Sequence, residues 1–85
     1  MGDQLVRGTR MKSIDIFLHS VQEVKEFADI ASRMEGEVNL SDERHSVDAK
    51  SVIGIFCLDL TRVLRLEIEN WEEKYESLLA KYTVR

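Results

Sequence analysis

The chain contains no proline. The rigid ring that most often stops a helix is missing, so Gly, Asn, Asp and Ser must mark the element boundaries. Cysteine is nearly absent as well. Cys57 stands alone, cannot form an internal disulfide, and fits a reducing cytoplasm. Basic charge is short, with 12 Lys and Arg against 16 Asp and Glu and a net charge of −4. Counterion release needs a basic face, so nucleic acid is not an expected partner, and an anionic membrane surface is disfavoured for the same reason. No apolar run approaches the ~20 residues of a membrane span, and the N-terminus has no apolar signal-peptide core. His19, His45 and Cys57 show none of the short paired spacings of a zinc site. No Gly-rich phosphate loop, carboxylate pair or nucleophile–base–acid set is recognisable. Neither a metal, nor a resident cofactor, nor enzymatic turnover is expected.

What is present is 85 residues, 44% hydrophobic and 33% charged, the balance of one small folded domain. A domain of this size buries only ~60% of the surface its unfolded chain exposes, so its stability margin is thin. Residues 1–10 carry two of the glycines and no periodic pattern, and read as a leader, either a vector remnant or an upstream start before Met11. Residues 11–85 form the expected domain. Removing the leader takes away Asp3, Arg7 and Arg10, which leaves the remainder more acidic still.

From Lys12 to Leu18 apolar residues alternate, with Ile14, Ile16 and Leu18 on one face of a strand. Ser20 and Glu23 then form a capping-box sequence, in which each side chain would satisfy the other residue's backbone N–H. Val21, Val24, Phe27, Ala28, Ala31 and Met34 predict one apolar helical stripe, closed by Gly36. Val38 and Leu40 alternate on a second strand, and Asp42-Glu43-Arg44 turns the chain into a third that carries His45. Ser51 caps a short apolar helix, in which Cys57 reads as a small buried hydrophobe. Leu64, Leu66 and Ile68 face inward on a fourth strand, and Asn70 caps a last helix with a stripe of Trp71, Tyr75, Leu78, Leu79 and Tyr82. Strands apolar on one face only, with three helices to cover that face, imply an α+β fold: an open-faced β-sandwich, β-α-β-β-α-β-α, with a four-stranded antiparallel sheet. Ile14, Leu40, Val47 and Leu66 should share the covered face.

One stretch carries a family resemblance. Val47-Asp48-Ala49-Lys50-Ser51-Val52-Ile53-Gly54-Ile55-Phe56-Cys57-Leu58 resembles the Val-Asn-x-Lys-Ser-Ile-Met-Gly-x-Met-x-Leu segment of the histidine-containing phosphocarrier family, HPr, of the bacterial phosphotransferase system. Ala31-Ser32-Arg33-Met34 followed by Val38-Asn39-Leu40 is similar to the family's first helix end and next strand. The match runs without a gap from about Ser20 to Glu69. The resemblance implies a phosphocarrier-type protein of the phosphoenolpyruvate-dependent sugar phosphotransferase system. Its implied partners are enzyme I, sugar-specific components and a serine kinase acting on Ser51. The alternative is a non-catalytic regulatory or binding module that kept the fold and Ser51 but lost phosphoryl relay.

The active histidine of that family lies in Gly-(Leu/Ile)-His-Ala-Arg-Pro-Ala at the start of the first helix. Here the segment reads Leu18-His19-Ser20-Val21-Gln22-Glu23. By gapless alignment Ser20 takes the histidine position, Gln22 the arginine and Glu23 the proline, and His19 falls one residue early. His19 is thus the candidate phosphoacceptor, or else a polar residue between strand and cap. Ser20 is explained as a cap without any chemistry. A phosphoryl group carries roughly −1.5 to −2 charge, which helix N–H groups favour and which a carboxylate at position 23 opposes.

Overall fold

The computed structural model describes residues 10–84; apart from Arg10, the expected leader lies outside them. The elements follow the predicted order: β1 (Lys12–Ile16), α1 (Val21–Ser32), β2 (Val38–Ser41), β3 (Ser46–Asp48), α2 (Val52–Ile55), β4 (Leu64–Ile68) and α3 (Lys74–Leu79). The four strands form one sheet in the order β1-β4-β2-β3, with every pair antiparallel. This is the α+β arrangement expected of an open-faced sandwich.

The register explains how so small a chain makes a core. Ile14 lies opposite Leu66, Leu66 opposite Leu40, and Leu40 opposite Val47, so one apolar row crosses all four strands. Leu40 and Leu66, at the centre of that row, are fully buried, while Ile14 and Val47 at its ends are half-buried. Val24, Phe27, Ala28 and Ala31 of α1 and Ile55 of α2 join the same cluster. The opposite sheet face is polar. Asp15, Arg65 and Ser41 form a neighbouring row, with an Arg65–Asp15 ion pair at 3.6 Å across the strands.

Several local expectations are corrected. β1 ends at Ile16, because Phe17 N–H donates to the Tyr82 carbonyl and the C-terminal segment takes over at Thr83. α1 ends at Ser32, where the Arg33 and Met34 N–H groups tighten onto carbonyls three residues back. Gly36 lies beyond the helix, and its φ of 81° serves the bend into β2 instead. Val21, the first residue of α1, is exposed. His45 precedes β3 and belongs to the turn. Cys57 is exposed. The chain leaves α2 through i→i+3 bonds (Cys57 N–H to Gly54, Leu58 N–H to Ile55), which align Ile55 with Leu58 and leave Phe56 and Cys57 outside.

The last helix starts later than predicted. Trp71 N–H donates to the Arg10 carbonyl at 2.8 Å, which prolongs the β1–β4 ladder past Asn70 and delays the helix to Lys74. Glu73, not Asn70, occupies the cap position and makes no side-chain cap bond. Trp71, Tyr75, Leu79 and Tyr82 are buried as predicted, whereas Leu78 is exposed because Tyr75 and Leu79, one turn apart, set the inward face. No helix among the described residues is long and apolar enough to cross a membrane.

Candidate functional site

Two helix starts carry the residues singled out in the sequence. At the first, Ser20 adopts an extended conformation and its Oγ accepts the Glu23 N–H at 3.1 Å. This is one half of the predicted capping box. The other half is displaced by one residue. The Glu23 carboxylate reaches past Ser20, accepts the His19 backbone N–H at 2.9 Å, and lies 3.2 Å from His19 Nδ1 through the same Oε1. The His19 N–H holds the Glu23 carboxyl below the usual carboxylate range, and the imidazole contact and charge reinforce this. Glu23 is therefore ionised at neutral pH and acts only as an acceptor.

The imidazole of His19 remains accessible, with 65% of its side chain exposed against 21% for Glu23. Its ring is held from a second direction by Phe17, edge to face at 4.7 Å between centroids. The surrounding charge is unfavourable to an anion. Gln22 points its amide to Glu26 at 3.5 Å. Glu26 also binds Lys81 Nζ at 2.9 Å, so the neighbouring ammonium is already paired. The helix start thus holds a histidine whose nearest charged partner is a carboxylate.

At the second start, Ser51 caps the single turn of α2, and its Oγ accepts the Gly54 N–H at 3.0 Å. Lys50 precedes it, with Nζ donating to the Gly36 carbonyl at 3.0 Å and the backbone N–H donating to Asp48 Oδ1 at 2.9 Å. These bonds fix the approach to α2. The helix buries Ile55 and leaves Ile53 79% and Phe56 45% exposed. α1 and α2 touch, but no hydrogen bond among the described residues joins Ser51 to His19 or Ser20.

A residue that sequence reasoning treated only as part of a turn proves to be an anchor. Asp42 Oδ1 accepts the Arg44 and His45 N–H groups, both at 2.7 Å, and Oδ2 accepts the Asp59 N–H at 2.9 Å. Those N–H groups, Asp59's foremost, lower its carboxyl to about 2. Asp at the first position of a turn was the legible signal, and the reach to Asp59 was not. His45 contributes a 3.6 Å contact between its Nδ1 and Asp42, with no link to His19. Among the described residues no group of His, Cys, Asp and Glu side chains could hold a metal ion.

No protein-family model matches the chain, and no curated protein sequence matches it. Among solved structures, the chain is similar to the crystal structure of HPr-C-His from Thermoanaerobacter tengcongensis, with a TM-score of 0.63 and 24% sequence identity. The similarity covers 86% of this chain and 89% of that one. At that identity the likeness shows the fold: the chain has an HPr-like fold.

Proposed function

We propose that the chain is a regulatory, partner-binding module of the bacterial sugar phosphotransferase system, working in the cytoplasm without enzymatic turnover. On this reading it keeps the docking side of an HPr-like protein and has given up phosphoryl relay. The observation that carries it is the Glu23 carboxylate, which sits on the His19 N–H and on Nδ1 where a relayed phosphate would need donors. A phosphoryl group of roughly −1.5 to −2 charge would meet a fixed negative charge there instead of an arginine.

Docking is supported by α2. Ile53 and Phe56 offer apolar surface beside Ser51, a cap residue whose hydroxyl stands at a helix start. Modification of Ser51 by a serine kinase would place negative charge next to that patch and change which partners it accepts. The second reading, a phosphocarrier that accepts from enzyme I and donates to sugar-specific components, is favoured by the exposure of the His19 ring. One experiment separates them: incubation with phosphoenolpyruvate and enzyme I, read by intact mass, with His19→Ala alongside. The module reading expects no acid-labile gain of one phosphate in the folded protein. A gain that His19→Ala abolishes would establish the carrier.

A further inference from the structure

We propose that Glu23 closes Nδ1 of His19 to phosphoryl groups and leaves Nε2 as the one nitrogen of that ring able to accept one. This deepens the preceding reading, because it names the group that keeps His19 out of relay and the atom at which its reactivity survives. An ionised carboxylate only accepts, so the 3.2 Å contact between Oε1 and Nδ1 requires the proton on Nδ1. In the neutral ring the lone pair then lies on Nε2. The backbone bond from His19 N–H to the same Oε1 fixes the carboxylate in place. Phe17 holds the ring from another side, so the imidazole is not free to exchange its two nitrogens at no cost. No hydrogen bond from another described residue reaches Nε2, and the side chain is largely exposed.

The step itself balances with a small phosphoryl donor of the phosphoramidate class. The Nε2 lone pair attacks phosphorus, the phosphorus–nitrogen bond of the donor breaks, and ammonia leaves with the three protons it already carried. The ring becomes an imidazolium that keeps its Nδ1 proton against Glu23, and the carboxylate stabilises that charge while standing on the opposite nitrogen from the new phosphate. Glu23 acts here as a positioning residue, in the way a carboxylate fixes the tautomer of a metal-ligating histidine.

Phosphoramidate treatment of the whole chain tests this without any protein partner, with the phosphorylated nitrogen assigned from long-range 1H–15N and 31P couplings. Wild type is expected to carry phosphate on Nε2 of His19. Glu23→Ala should raise the Nδ1 share about tenfold or more, the size expected for losing one hydrogen bond to a charged acceptor. His19→Ala identifies any signal from His45. Nδ1 phosphorylation in the wild type, or an unchanged ratio in Glu23→Ala, overturns the proposal. Should Glu23→Ala not fold, the unmodified wild type suffices: its neutral His19 ring must show a protonated Nδ1, and a protonated Nε2 overturns the proposal. Failure here is distinct from failure of the module reading, which turns on transfer from enzyme I and not on which nitrogen a small donor finds.

Discussion

At the scale of single residues, two positions shape loops that hydrophobic patterning does not reach. Asp42 ties the β2–β3 turn to the segment after α2 through three backbone N–H groups, and its carboxyl is lowered to about 2 from an ordinary 3.8. A carboxyl lowered by folding stabilises the folded state above its ordinary value, and the contribution disappears as pH falls through the folded value. Wild type should therefore exceed Asp42→Asn in stability at pH 6, and the two should converge as pH falls from about 4 to about 2. Urea unfolding at several pH values checks this, and parallel curves would refute it. Gly36 is the second case. A Cβ there would sit 2.5 Å from Asn70 Nδ2 and 2.7 Å from Glu69 Oε1, on a backbone with φ of 81°. Glu69 Oε1 also accepts the Glu37 N–H at 2.8 Å, so moving it would strand a donor. Gly36→Ala is expected to cost about 1–3 kcal/mol in chemical denaturation. The glycine was legible in the sequence as a boundary; its neighbours from residues 69 and 70 were not, because no local pattern reports a contact so distant along the chain.

Elements show which local signals survive folding. α2 has a single turn, far below the length at which a helix stands alone, so it depends on the Ser51 cap and on Ile55 beneath it. Ser51→Ala should cost about 1 kcal/mol, read by urea unfolding, and a null effect would remove the cap from the account. Ser51→Asp is expected to shift the affinity of a partner that docks on Ile53 and Phe56, measured by titration calorimetry against enzyme I. Unchanged binding would detach Ser51 from that surface. The cap at Ser20 was readable from its spacing to Glu23, but the partner of Glu23 was not. A capping-box sequence specifies that a carboxylate turns back to the chain, and the conformation of the incoming loop decides whether it meets the N–H of residue 20 or of residue 19. Asn70 failed as a cap because the backbone pairing to Arg10 carries the chain past it in strand-like fashion, and the helix begins only at Lys74.

The whole molecule rests on the row Ile14–Leu66–Leu40–Val47, which joins segments distant in sequence into one covered face. Leu66→Ala, at its centre and fully buried, is expected to cost about 2–5 kcal/mol, a large part of the roughly 5–15 kcal/mol available to a domain. Ile14→Ala at the half-buried edge should cost less, and equal losses in denaturant titrations would contradict the placement of the core. Period-two alternation in three short segments, the Asp42-Glu43-Arg44 turn and period-three-to-four spacing in the helices by themselves determined the element types, their order and the apolar face. Burial of apolar surface admits few ways to cover one sheet face with three helices. The tertiary structure alone decided the strand order, the exposure of Cys57, Val21 and Leu78, and the pairing of Glu23 with His19. The strand order depends on pairing between segments distant in sequence, whereas the others depend on the exact path of the backbone at a helix start or end. Hydrophobic periodicity reports which way a residue faces, whereas the chemistry at His19 depends on which atom stands 3.2 Å from Nδ1.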